Sequence, residues 1–404
     1  MVIVSLTSIG NEEGIIESFV RYHSHFVDKM YFISSCCIDN TLKILKNLKE
    51  EGFSVEVFIE PDILFEQKVL ENKYLRKVAE KGDSDLILPL DADEFLCGNN
   101  NPREILDELS LDRVYTVTWK NYAFTEDIDM NEMFIPKRLK YVKKNHIGNN
   151  IPKVIIPTKL IKNKHLIVST GHHEVLGVYV KNQQLETIYL AHYPVIGKEQ
   201  YLLKMYGNSI KLITWTSRGN SEASHITKQI ALIEKGDDLY KIANGYGLDD
   251  IEDIEFEPLN LEYCDENNLI IKYKDLISTN AFQGVCAIGQ LMAIKAYNME
   301  MDKLESDKPR ILIYGTGIGA KTMFDSLPEN LVNIRAYIES DELHKFRMHD
   351  RRLVISPKEI KFFRYDAIVI SSGKYYEEMK KNLIENYVEP GKIKGVDYLV
   401  DLCM

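Results

Sequence analysis

Six cysteines are few for a chain of 404 residues, and their spacing is unproductive. Cys36, Cys37, Cys97, Cys264, Cys286 and Cys403 include no C-x-x-C pair, so neither a zinc knuckle nor a disulfide framework is indicated. No apolar run comes near the roughly 18 residues of a membrane span. The opening Met1-Val2-Ile3-Val4-Ser5-Leu6 has no positive region and no cleavage-like segment, so a cytoplasmic protein is expected, at most at the inner face of the cell membrane. Basic charge is in deficit, with 50 Lys and Arg against 61 Asp and Glu and a net charge of −11. That balance argues against nucleic acid, whose phosphates need clustered cations. Internal repeats and low-complexity tracts are absent as well.

What is present is an ordinary globular composition, 45% hydrophobic and 27% charged, on a chain long enough for two or three domains. Apolar runs of strand length alternate with helical patterns. Val2 to Leu6 and Met30 to Ile33 read as strands, as does Val55 to Ile59. Helices are expected after Asn11, whose side chain would cap the first, then from Leu42 to Leu48, and from about Phe65 to Lys81. His23 falls on an apolar stripe and reads as core. Such alternation predicts right-handed crossovers and a mostly parallel α/β sheet.

The chain is organised around Leu86-Ile87-Leu88-Pro89-Leu90-Asp91-Ala92-Asp93-Glu94-Phe95, an apolar run that ends in three carboxylates. Open α/β sheets collect ligands at strand carboxyl ends, and crowded carboxylates repel unless something positive sits among them. Hard oxygen donors suit Mg²⁺ or Mn²⁺, so a divalent-metal site holding a phosphate-bearing ligand is expected; an acidic turn is the bland alternative. Pro89 cannot donate to a ladder, which calls for a bulge or an edge position. A phosphatase of the haloacid dehalogenase type also carries a D-x-D, but closes its first strand with it; here the pair closes about the fourth.

Three segments in order, Ser8-Ile9-Gly10-Asn11-Glu12-Glu13, Ser35 to Thr41, and Asp85 to Phe95, give the first 210 or so residues a resemblance to family 2-like glycosyltransferases with N-E-E and D-x-D-E-F motifs. The resemblance implies a GT-A fold, a nucleoside diphosphate sugar donor and Mn²⁺ or Mg²⁺ bridging its diphosphate. Carried onto this chain, it makes Asp91 and Asp93 metal ligands, with Asp91 shared with the donor ribose. Asn11, Glu12 and Asp39 fall on the donor side. His192, in a strand-end His-Tyr pair, completes the metal shell, and Lys204 on the following helix meets donor phosphates. Ser34 and Ser35 stand where the family often has an acid, which leaves the donor base open. Glu126 and Asp127, in an acidic loop, are the nearest candidates for the base that deprotonates the acceptor. Glu94 either orients the acceptor or supports the metal shell.

Lys137, Arg138, Lys140, Lys143, Lys144, Lys153, Lys159, Lys162 and Lys164 form a local basic belt, read as solvated faces or as an attractor for an anionic, lipid-linked glycan acceptor. His172 and His173 sit in a loop and are weaker ligand candidates. The division expected is a transferase domain over 1–215, a helical connector over 216–305 and a small Rossmann-like domain over 306–404. In that last part Ile311 to Tyr314 runs into Gly315-Thr316-Gly317-Ile318-Gly319, where Gly315 and Gly317 would admit a nucleotide phosphate, and Glu339 falls near the place of a ribose-binding acid. NAD(P) there is the weaker expectation, because no hydride-transfer apparatus is visible. Two further readings stay open: an NAD(P)-dependent sugar-nucleotide oxidoreductase or epimerase, and a non-catalytic sugar-nucleotide-binding scaffold. The acceptor expected is a surface polysaccharide or related glycan; self-association is left open.

Overall fold

The computed structural model describes residues 1–34, 37–60, 67–144, 151–213, 224–245, 253–278, 280–303, 307–317, 320, 331–341 and 345–402. Two compact units emerge, one of Met1–Phe58 with Leu64–Gly289, the other built chiefly on Gln290–Met404. The first unit holds strands β1 (Ile3–Ile9), β2 (Lys29–Ser34), β3 (Val55–Ile59), β4 (Leu86–Pro89), β5 (Glu94–Gly98), β6 (Val114–Asn121), β7 (Tyr141–Lys143) and β8 (Pro152–Pro157). It continues with β9 (Ile167–Val168), β10 (Val175–Leu176), β11 (Asn182–Gln184), β12 (Ile188–His192) and β13 (Ile254–Phe256). The helices the site draws on are α1 (Ile16–His23), α2 (Thr41–Glu50) and α3 (Gln67–Lys81), then three short ones, α4 (Pro102–Asp107), α5 (Ile135–Arg138) and α6 (Thr158–Ile161), and α7 (Lys198–Ile213).

The main sheet runs β3-β2-β1-β4-β8-β6-β12-β5, with β11 also paired to β6. It is the α/β arrangement expected, a mostly parallel sheet flanked by helices. Parallel pairing joins β1 to β2 and β4, and β6 to β11 and β12; β8 runs antiparallel to both β4 and β6, and β12 to β5. Central β1 is buried on both faces, including Ser5 and Thr7. Helix α2 buries Leu42, Ile44, Leu45 and Leu48, then stops where Gly52 turns left-handed (φ +106°) and Phe53 N–H closes on Leu48 O. His23 is packed in the core, its Nδ1 3.0 Å from Phe19 O, and burial pushes its pKa down to about 3.

Three local expectations are corrected. Helix α1 starts at Ile16, after a turn on Glu12 O, so Asn11 does not cap it; Asn11 Oδ1 instead accepts the Ile38 amide at 3.0 Å. Pro89 needs no bulge. The Leu86 and Leu90 amides donate to Val2, just before β1, and to Leu6 within it, so alternation turns the Pro89 nitrogen toward β8, where the paired register stops at Ile87. Third, the stretch expected as a helical connector contains strand β13, which adds to β7.

The second unit carries β14 (Arg310–Tyr314), β15 (Asn333–Ile338), β16 (Met348–His349), β17 (Arg352–Ile355), β18 (Ala367–Ile370) and β19 (Ile393–Lys394), ordered β16-β17-β15-β14-β18-β19. Only the β16 pairing is antiparallel. Strands thus flank β14 on both sides, and each of the six is only two to six residues long. Among the described residues, no helix is long and apolar enough to cross a membrane.

Candidate functional site

Strand register assembles the site. The turn after β4 carries Asp91, Ala92 and Asp93, and the chain then re-enters the sheet as β5. Antiparallel pairing sets Glu94 opposite His192, and parallel pairing sets His192 beside Asn121. The Tyr193 amide closes on Asp93 O at 2.8 Å, which fixes the strand end against the turn.

Positive groups lie between the carboxylates, as their crowding demands. Lys153 Nζ is 2.7 Å from Asp91 Oδ2 and 2.7 Å from Glu94 Oε1, with 1% of its side chain exposed. Glu94 is fully buried, and its Oε2 accepts the Asp91 amide at 2.9 Å. Asp93 Oδ2 lies 3.2 Å from Lys204 Nζ and 3.7 Å from His192 Nε2. Lys204, on α7, also donates to Pro194 O at 3.1 Å.

These neighbours separate the three acids. Burial works against ionising Asp93, but Lys204 and His192 outweigh it and hold the carboxyl far below the usual range. Burial opposes ionised Asp91 too, and Lys153 again wins, lowering it. Glu94 goes the other way. Burial, aided by the Asp91 charge, exceeds the pull of Lys153 and pushes it up to about 7. For Lys153, burial favours the neutral amine, but the two carboxylates prevail and raise it.

His192 is prepared as a ligand. Its Nδ1 is 2.7 Å from Asn121 Oδ1, an acceptor, so Nδ1 carries a proton and Nε2 is the ring nitrogen that faces Asp93. Its ring stacks on Trp119 at 4.5 Å. Asp91, Asp93 and His192 are oxygen and imidazole donors of the kinds that Mn²⁺ or Mg²⁺ takes. A second set meets it at Asp91: donor atoms of Glu71, Asp91 and His172 all lie within 4.8 Å of one another. There His172 Nε2 sits 2.7 Å from Glu71 Oε2, a close contact between two buried groups. Burial disfavours the His172 cation, yet Glu71 overcomes this and raises its pKa. His172 holds a left-handed backbone (φ 59°) to reach that position.

The donor-side residues named from the sequence act on one another. Asp39 accepts the Thr41 amide through Oδ1 and the Glu13 amide through Oδ2, each at 3.0 Å, while Glu13 Oε2 accepts the Asn40 amide and Thr41 Oγ1 accepts the Glu12 amide. The loops after β1 and β2 are thereby stitched together, and burial raises Asp39 to about 6. Glu126 and Asp127 are not drawn into this cluster. They sit on an exposed turn beyond β6, where Glu126 lines a separate open pocket with Phe124, Lys143, Tyr240 and Asn244. The basic belt is also not one solvated face. Lys143 donates to Asn244 O, Arg138 to Glu132 O and Ile196 O, and Lys153 belongs to the acidic cluster; all three are buried.

Sequence reasoning missed Lys153, Glu71, Asn121 and Trp119 as members of this edge. A signal existed for Lys153. It directly precedes Val154-Ile155-Ile156, a continuous apolar run of the kind buried on both faces.

In the second unit, Gly315 has φ +103°, and a side chain there would meet Ser371 Oγ at 2.6 Å; Gly317 faces open space. Between them, the Thr316 amide donates to Glu339 Oε1 at 2.8 Å, and its hydroxyl bonds the same oxygen. Through this one oxygen Glu339, at the end of β15, braces the glycine turn after the neighbouring β14.

A family model described as C2185-like, N-terminal, matches residues 307–394. No curated protein matches the chain. Among solved structures, residues 1–349 of TarS from S. aureus align over 57% of this chain and 69% of that one, at 14% identity and a TM-score of 0.33. Against TarS as crystallised at greater length, the alignment spans half of that chain, with 12% identity and a TM-score of 0.28. The mannosyltransferase PcManGT from Pyrobaculum calidifontis, in complex with GDP-Man and Mn²⁺, aligns over 54% of this chain and 65% of its own, at 10% identity and a TM-score of 0.31. Glucosyl-3-phosphoglycerate synthase from Mycobacterium tuberculosis, with Mn²⁺ and UDP, covers 59% of this chain and 81% of its own, at 13% identity and a TM-score of 0.26.

Proposed function

We propose that the larger unit is a metal-dependent glycosyltransferase of GT-A type, with residues 1–215 as its transferase domain. It would move a sugar from a nucleoside diphosphate to a surface-polysaccharide or related glycan acceptor. One observation carries the reading: the β4 turn, the end of β12 and helix α7 bring Asp91, Asp93, His192 and Lys204 to a single strand edge. Two carboxylates, an imidazole with its other nitrogen anchored, and a cation beside them suit a diphosphate held through a divalent ion.

Asp91, Asp93 and His192 would hold that Mn²⁺ or Mg²⁺, which supplies Lewis-acid stabilisation of the departing diphosphate. Lys204, a third exposed, then leaves Asp93 for a donor phosphate. Asp91 offers its outer oxygen to a donor hydroxyl. Asn11, Glu12 and Asp39 serve the donor indirectly, by fixing the two loops that flank it. In the transfer, the bond from the anomeric carbon to the phosphate oxygen breaks and one to the acceptor oxygen forms. The acceptor proton passes to a carboxylate, for which Glu126 and Asp127 remain our candidates, with inversion at the anomeric carbon. Glu94, sealed beneath the turn, supports the site from behind.

The test is release of nucleotide from UDP-, GDP-, CMP- and dTDP-sugars with Mn²⁺, in wild type and Asp93→Ala. Turnover that survives Asp93→Ala unchanged would place the chemistry elsewhere. A scaffold would bind a donor yet release nothing with any acceptor.

A further inference from the structure

A lysine with 1% of its side chain exposed has lost nearly all its water, a cost that only close and complete pairing offsets. Lys153 is paired in that way. It spans Asp91 and Glu94 at 2.7 Å each, and its ammonium lies 5.0 Å from the centre of the Trp119 ring, the ring on which His192 stacks. Glu94 Oε2 takes the Asp91 amide, and Asp91 O takes the Glu94 amide at 3.1 Å. The turn that carries Asp91 and Asp93 is therefore tied backbone to backbone, backbone to side chain, and side chain to side chain through one cation. That cation comes from β8, a strand about 60 residues further along the chain, whose antiparallel register with β4 brings its first residues level with the end of β4.

We propose that Lys153 is a positioning residue of the donor and metal site: from beneath, its ammonium fixes the Asp91 carboxylate against Glu94, so that Asp91 and Asp93 present one arrangement to the cleft before any cation or donor arrives. The proposal rests on the transferase reading of this edge. The competing role is that of a placeholder, a positive charge standing where a metal ion would otherwise be attracted. The two roles differ in sign. Removing a placeholder takes away a repelling charge and tightens cation binding. Removing a positioning group leaves buried Glu94 and partly open Asp91 side by side without the charge that held them, and the turn loses the arrangement that receives the ion.

The experiment titrates Mn²⁺ alone into the full-length chain, reading free Mn²⁺ by electron paramagnetic resonance and tryptophan fluorescence in parallel. Trp119 touches His192, so bound Mn²⁺ should quench its emission. Wild type is compared with Lys153→Met, Lys153→Arg, Asp93→Ala and Lys159→Met, the last an exposed lysine just after β8, with circular dichroism to confirm folding. Lys153→Met should bind Mn²⁺ at least tenfold more weakly and lose the quenching. Lys153→Arg keeps the charge but not the reach; it should recover most of the affinity, ending two- to fivefold below wild type. Lys159→Met should match wild type. Lys153→Met binding as tightly as wild type, or tighter, overturns the proposal. If that variant does not fold, Lys153→Arg decides, and undiminished affinity overturns it. Asp93→Ala losing Mn²⁺ while the Lys153 variants keep it overturns this proposal alone; a wild type that takes up no Mn²⁺ overturns both it and the transferase reading.

Discussion

Each of the two units ends a central parallel strand in a turn that is met by an acid, and the two turns have opposite fates. After β14, Glu339 reaches Thr316 from the end of the neighbouring strand β15 and satisfies the turn, and among the described residues no buried cation takes part. After β4, the acids receive their partners from β8, β12 and α7, and Asp91 and Asp93 keep part of their surface open, 31% and 17% of the side chain. A turn satisfied by its neighbour is a structural feature. One satisfied by long side chains that can let go, Lys204 above all, is equipped to exchange a partner for a ligand.

The comparison is broken most severely at Asp93. Asp93→Ala should lower metal-dependent donor turnover about 10³-fold, measured as nucleotide release, whereas Glu339→Gln should leave it unchanged. Stability separates the units next. Glu94→Leu strips a buried pair of one member and should cost about 3 kcal/mol in urea unfolding. Glu339→Gln, which keeps an acceptor for Thr316, should cost about 1 kcal/mol.

The raised pKa of Glu94 adds a pH signature. Its folded form holds a proton between its ordinary 4.5 and about 7, where the unfolded chain has released it. Stability from this group is therefore full at the lower pH and declines as pH rises through that window. Glu94→Gln should flatten the decline, read as Tm against pH; an unchanged slope would assign it to another group. The smallest effects lie in the glycine turn. Gly315→Ala meets a left-handed backbone and Ser371, and should cost about 1–2 kcal/mol. Gly317→Ala enters open space and should fall within about 0.5 kcal/mol. A larger loss at Gly317 on adding NAD(H) would instead support a nucleotide at this turn.

Much of this was legible in the sequence because local pattern carries it. The apolar run into Asp91, the buried stripes of α1 and α2, and the His-Tyr pair before a lysine-bearing helix each declare themselves within a few residues. What stayed hidden depends on pairings between distant strands. Lys153 sits among lysines that do face solvent, and only the enclosure of β8 between β4 and β6 buries it. Strand β5 is not announced in the sequence, since nothing local separates an acidic turn inside a sheet from one at its rim. Asn121 and Trp119 gain their meaning from the register of β6 with β12, and Glu71 from a loop histidine about 100 residues away. Pro89 broke a rule of strand chemistry only as long as its neighbour on that side was unknown.

The central claim is that the Asp91–Asp93–His192 edge binds a nucleotide sugar through a divalent ion. It is tested most directly by thermal shift of wild type and Asp93→Ala against UDP-, GDP-, CMP- and dTDP-sugars, with and without Mn²⁺, because a ligand that prefers the native state must raise Tm. At least one donor should raise the Tm of wild type only when Mn²⁺ is present, and should leave Asp93→Ala unmoved. Equal shifts in both proteins, or no shift with any donor, would contradict it.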